Sequence, residues 1–335
     1  MPLRSILSVR RSRKPIIIAS RKSPLAQAQA NAVGKALAKL NPKIDIQFNW
    51  IESEGDQHLN TPLSERGGKG LFTRSIEGAL LNQSADIAVH SLKDMPTQEP
   101  EGLTLAAIPK RADHRDCLVS ASGYESLADI PLNATLGTSS PRRIAQIKQL
   151  RPDIQTHLFR GNVNSRIEKI IDQKQFDATL MAVAGLKRAG LSQYAQNPLA
   201  IEEILPAACQ GALAIQCRAD DHVTLTRCLP LNHAFSAAAV HAERQILSLL
   251  QGDCHSPIAI YAQSTSKNDK AGYHIQVKVL SPDGTQCIQT QETDTIKEMR
   301  RLIKRIAKNL IEQGAKELLQ DAARQIKEQL IIKKF

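Results

Sequence analysis

The chain has 335 residues, 42% of them hydrophobic, and carries 44 Lys and Arg against 33 Asp and Glu, a net charge of +11. That length exceeds one ordinary core, so two or three domains are expected, and the positive charge calls for nucleic acid, an anionic membrane surface or an acidic small molecule as partner. Aromatic residues at 3%, with one Trp, argue against the base-stacking platforms of a single-strand binder, and no stretch reaches the ~20 apolar residues of a membrane-spanning helix.

Residues 1–14 form a basic extension (Arg4, Arg10, Arg11, Arg13, Lys14) without the apolar core of a secretory signal. A disordered tail is expected there, an organelle presequence being the other reading. From Ile16 the pattern alternates: Ile16 to Ala19 is apolar and β-branched, Pro24 to Leu40 is Ala-rich and helical, and Ile44 to Ile51 is extended again, an α/β signature. The glycine-rich Gly67-Gly68-Lys69-Gly70 misses the GxxxxGK[ST] phosphate-cradling spacing, because residue 71 is Leu and the upstream Gly is absent. It is read as a mobile lid over a cleft, with Lys69 as an anion contact.

Residues 84–97, SADIAVHSLKDMPT, deliver Lys93 and Asp94 from an apolar strand into a turn closed by Pro96. Taken alone this is an exposed ion pair, worth roughly 0 to 1 kcal/mol. From residue 133 the plan repeats, with strand-like ATLG, then Ser139-Ser140-Pro141-Arg142-Arg143, then a helix with Ile144, Ile147 and Leu150 on one side. FDATLMAVAGLKRAG (176–190) parallels ADIAVHSLKDMP, which suggests a weak internal duplication. Strand-like Ala212 to Cys217 is assigned back to the first lobe. From about Leu231 the chain shifts to a helix (Phe235 to Leu250), a strand over 273–280 and a long charged helix after Thr295, a smaller α+β unit. The expected domains are lobe 1 over 15–110 plus about 206–228, lobe 2 over 111–205, and a third domain over 229–335.

Cations at helix starts are the clearest chemical signal. Ser23 and Pro24 read as N-cap and first helical residue beside Arg21 and Lys22; Ser140 and Pro141 repeat the arrangement with Arg142 and Arg143. A cation there opposes the helix dipole, so three such places, the third being Arg160 and Arg166 around a Gly/Asn turn, imply an arriving anion with several charges. The cleft between two lobes is its natural site. Of six cysteines none forms a CxxC or a zinc-like Cys/His set, so no metal is expected, and reduced thiols in a cytoplasmic enzyme are. Cys254, in LLQGDCHSPIAIY between Gly252 and Pro257, sits on a loop where a thiol is available for covalent chemistry. His255 beside it is a poor general base for it, since adjacent residues in an extended turn point apart.

GGKGLFT, AVHSLKDMPT, LGTSSPRR, FRGNVNSR, AGLKR, CQGALAIQCR and GDCHSPI occur in the order seen in the porphobilinogen deaminase (hydroxymethylbilane synthase) family, which the chain resembles from about Ile16 to Tyr261. The resemblance implies two lobes like those of periplasmic binding proteins, a smaller α+β C-terminal domain and a monomer. It implies a dipyrromethane cofactor joined by a thioether to Cys254, and four porphobilinogen molecules polymerised head to tail with release of ammonia. Asp94 matches the catalytic aspartate. Arg21, Ser23, Arg142, Arg143, Arg160, Arg166 and Arg188 match residues that bind carboxylates of cofactor, substrate and product, with Lys93 contacting a carboxylate or tuning Asp94. Two residues depart from the pattern, Cys209 and Asp253, each where the family has Gly. The rival reading is a two-lobed anion-binding protein without catalysis, a receptor or a regulator; neither a secretory signal nor a helix-turn-helix supports it, and it leaves Asp94 and Cys254 without roles.

Overall fold

The computed structural model describes residues 14–52, 70, 73–253, 255–267 and 270–332. The basic extension up to residue 13, Gly67, Gly68, Lys69 and Cys254 lie outside the described residues.

The first unit begins with β1 (Ile16–Arg21), α1 (Pro24–Leu40), β2 (Ile46–Ile51), α2 (Arg74–Leu81), β3 (Ile87–Ser91) and β4 (Leu103–Ala107). Helix α1 starts where the sequence places its signals: Ser23 Oγ accepts the Ala26 N–H at 3.4 Å, and Pro24 needs no donor at the first position. Its Ala30, Val33 and Leu37 face Ile16 and Ile18, all buried. Burying each such aliphatic side chain is worth roughly 1.5–3 kcal/mol, which fixes the helix on the sheet.

The second unit holds β5 (Asp116–Val119), β6 (Thr135–Gly137), α3 (Pro141–Leu150), β7 (Gln155–His157), α4 (Val163–Ile171), β8 (Ala178–Ala182) and α5 (Val183–Arg188), its sheet ordered β5-β8-β6-β7. The chain then returns through β9 (Leu213–Arg218), which runs antiparallel between β3 and β4 and completes the first sheet as β2-β1-β3-β9-β4. Both crossings between the sheets therefore lie side by side, joined by Ala112 N–H donating to Gly211 O at 3.2 Å.

After α6 (His222–Cys228), helix α7 (Ala234–Leu249) packs with α8 (Met299–Glu312) on an antiparallel sheet of β10 (Ile258–Lys267), β11 (Lys270–Leu280) and β12 (Cys287–Thr295). The charged stretch after Thr295 was expected as one helix. It is two, α8 and α9 (Ala315–Ile332), because Gly314 between them takes φ +90°, the left-handed conformation that ends helices. The hairpin turn at Gly284 docks the third sheet on α3. Gly284 has φ +73°, and a Cβ there would stand 2.5 Å from Ala145 O and Gln149 N, so no side chain fits.

The fully buried Glu243 of α7 ties the third unit to both crossings. It accepts from Arg111 at 2.6 Å and from the Cys209 N–H at 2.5 Å. Cys209 itself has φ +63°, which explains glycine as the expected residue; a side chain there costs about 1–2 kcal/mol. Among the described residues no helix is long and apolar enough to cross a membrane.

Candidate active site

Strands β1 and β3 are parallel neighbours, so Arg21 and the turn after Ser91 emerge at the same edge of the first sheet. In the second sheet β6, β7 and β8 are likewise parallel, and Ser139, Arg160 and Arg188 follow their carboxyl ends. Ligands of open α/β sheets bind outside those ends. Here the two edges face each other across a cleft of about 1220 Å³, above the roughly 300–1000 Å³ of an ordinary small-molecule pocket.

The cleft wall is strongly cationic. Arg21, Lys22 and Lys93 line it from the first unit and Lys148, Arg160, Arg166 and Arg188 from the second, against Glu52, Asp94 and Asp283. Ser23 and Ser91 line it too, the Ser91 hydroxyl held by the Gln29 amide at 2.9 Å. Burial, with the neighbouring Arg143 and Arg160 guanidiniums, pushes Arg166 down to about 10, and burial pushes Arg188 to about 10. Both stay cationic at neutral pH, and an arriving carboxylate offsets the cost of burying their charge. Arg166 is aimed by Gly161 O (2.9 Å) and lies 5.7 Å from the Phe159 ring centre, while Arg188 donates across the cleft to Gly211 O at 2.7 Å.

Asp94 ends a single 3₁₀ turn, Leu92–Asp94, and is exposed to the cleft. Among the described residues its carboxylate has no hydrogen-bond or ion-pair partner. The loop ion pair suggested by the sequence is therefore not formed: Lys93 Nζ donates to Gln210 Oε1 at 3.4 Å instead. Burial pushes the Lys93 ammonium down from the ordinary lysine range, with Asp94 opposing the shift.

Arg142 and Arg143 were expected at the ligand and are not part of the cleft wall. Their guanidiniums turn inward, each donating to the fully buried Asp116 at 2.7 Å and to a backbone carbonyl, Leu205 O and Leu180 O. The physical reason is an internal anion that the sequence reading missed. Burial opposes charge on Asp116, but Arg142 and Arg143 outweigh it and hold the carboxyl well below its usual range. Its signal was the acid opening the apolar run DCLV; Gln210, also buried, stands in the CQGALAIQCR motif, which by itself assigns it no role.

Of the loop around Cys254, His255 lines the cleft. Asp253, a departure from the family pattern, turns its carboxylate to the loop itself, accepting from the His255 N–H and the Ser256 hydroxyl, each at 2.9 Å. Of the glycine-rich segment, Gly70 lies near Pro96 and its carbonyl accepts from Thr73 and Arg74 N–H. No group of three or more His, Cys, Asp or Glu among the described residues is arranged to hold a metal ion.

Two family models match the chain: "Porphobilinogen deaminase, dipyromethane cofactor binding domain" over residues 16–226, and "Porphobilinogen deaminase, C-terminal domain" over 237–312. The porphobilinogen deaminase of Legionella pneumophila strain Lens is 41% identical over 303 residues, covering 90% of this chain and 96% of the relative. That of strain Paris is 40% identical over the same lengths. Among solved structures, the periplasmic binding protein STM4351 of Salmonella typhimurium aligns over 69% of this chain and 97% of its own at 12% identity and a TM-score of 0.39, too loose to bear on function.

Proposed function

The chain belongs to the porphobilinogen deaminase family, a transferase that joins four porphobilinogen molecules head to tail into hydroxymethylbilane with release of ammonia, and we propose that the cleft around Asp94 is where it does so. The observation that carries this reading is the Asp94 carboxylate, which has no hydrogen-bond or ion-pair partner among the described residues, facing a wall of seven cations. Each porphobilinogen bears an acetate and a propionate, so a growing chain gathers negative charge where that wall supplies the opposite sign.

The residues present fit a dipyrromethane group with its four carboxylates: the cleft has the volume, the cations outnumber the acids, and the chain on the far side of Cys254 enters at His255. Bound there through the Cys254 sulfur, the cofactor supplies the nucleophilic pyrrole carbon from which the chain grows. Arg21, Arg160, Arg166 and Arg188, with Ser23, hold carboxylates by charge-assisted hydrogen bonds, each roughly 1.5–3 kcal/mol when shielded from water. Arg142, Arg143 and Asp116 together add one further positive charge from the layer behind.

When ammonia leaves porphobilinogen, the remaining azafulvene is cationic. Asp94 accepts the pyrrole N–H and stabilises that charge, and its carboxylate takes and returns protons in the steps that follow. An ammonium at the same place would oppose the reaction, which is why Lys93 has to be held aside.

Intact mass tests family chemistry and attachment together. The purified protein should exceed its sequence mass by two linked pyrrole units, and Cys254→Ser should abolish the increment. An unmodified protein that turns over porphobilinogen at the full rate would overturn the reading.

A further inference from the structure

Gln210 is buried at the second crossing between the sheets, and every group on it is committed. Its Nε2 donates to His114 O at 2.8 Å and to Asp116 Oδ1 at 2.9 Å, and its backbone carbonyl accepts from Arg111 Nε at 2.8 Å. With both amide hydrogens engaged, the side chain cannot be flipped: Oε1 has to face the cleft, where it accepts from Lys93 Nζ at 3.4 Å. An acid at this position would set a second carboxylate 2.9 Å from Asp116, and an apolar residue would leave both Asp116 and Lys93 short of a partner.

We infer that Gln210 is a positioning residue: it holds the Lys93 ammonium against the crossing, so that Asp94, one residue later, keeps its carboxylate free for the reacting pyrrole. The inference rests on Asp94 having the role given above. Asp116 polarises the amide, and the negative end of that dipole meets Lys93. Arg142 and Arg143 keep Asp116 ionised, so the buried cluster reaches the reaction centre through one neutral link. Burial destabilises the Lys93 charge, which makes the acceptor matter.

Gln210→Met tests the link. It should lower kcat about tenfold or more with KM for porphobilinogen within about threefold, the signature of a lost orientation and not of lost binding. In the purified holoprotein, pulse acetylation followed by peptide mass spectrometry should show Lys93 reacting faster at fixed pH, because its amine is no longer held by Gln210. In a Lys93→Met background, Gln210→Met should add less than about a twofold further loss, since the two act as a unit. Multiplying effects, unchanged Lys93 labelling, or a Lys93→Met kcat equal to the wild type would each overturn the inference. Should Gln210→Met not accumulate folded, Gln210→Asn, which withdraws the amide by one methylene, is read in the same assays. If the Asp94 reading is the one at fault, Asp94→Asn retains turnover; if only the link fails, Asp94→Asn stays inactive while the double variant multiplies.

Discussion

Helices α1 and α3 begin with nearly the same signature, a serine at the N-cap position, a proline and two neighbouring cations, yet only the cations of α1 line the cleft. At α1, Arg21 and Lys22 precede the cap and leave the end of β1 facing the cleft. At α3, Arg142 and Arg143 follow the proline inside the first turn, where side chains lean back toward the helix start and onto the sheet. There Asp116 waits at the first position of β5, and both guanidiniums are less than a tenth exposed. At α3 the basic helix start is thus closed by an anion that the fold itself supplies.

That contrast breaks most visibly at Asp116. Asp116→Asn strands two buried guanidiniums and should cost about 3–5 kcal/mol in urea unfolding; a loss under about 1 kcal/mol would put α3 on the same footing as α1. Because the folded carboxyl is held below its ordinary value of 3.8, its stabilisation is complete above that pH and fades as the pH falls through the depressed value. Wild type and variant should therefore differ at neutral pH and converge in acid. Next comes Asp94→Asn on the open side, which should cut turnover at least ~100-fold with a nearly unchanged unfolding midpoint, since the exposed carboxylate has no hydrogen-bond or ion-pair partner to lose among the described residues. Near-normal turnover would remove its role.

The alternation of strand and helix, the cap at Ser23, the helix start at Ser140 and the turn at Lys93-Asp94 were all legible, because each is written in local residue choice, though Ser140 makes no side-chain capping bond. The destination of Arg142 and Arg143 was not. It depends on Asp116, distant in sequence and brought beneath α3 by the order β5-β8-β6-β7, and no local pattern encodes that pairing. Gln210 was hidden for a related reason: a neutral amide in a turn shows no charge or period, and its meaning comes from three partners on other segments. The break at Gly314 was present in the sequence as a glycine but was overridden by the continuous charge pattern around it.

Arg21→Ala sharpens the comparison from the open side. Losing one charge-assisted contact of roughly 1.5 kcal/mol predicts about a tenfold fall in kcat/KM, with unfolding changed by less than about 1 kcal/mol. A stability loss comparable to that of Asp116→Asn would show Arg21 to be as structural as Arg142.

Salt should separate the two clusters with the smallest effect. Raising ionic strength from about 0.01 to 0.15 M shortens the screening length from roughly 30 to 8 Å. The cleft cations border water, so their pull on a multiply charged substrate weakens, and KM for porphobilinogen should rise by about two- to fivefold. The Asp116 cluster excludes water, so the stability gap between wild type and Asp116→Asn should stay within about 0.5 kcal/mol over the same range. A salt-independent KM beside a salt-sensitive gap would reverse the assignment of which helix start faces solvent and ligand and which is sealed.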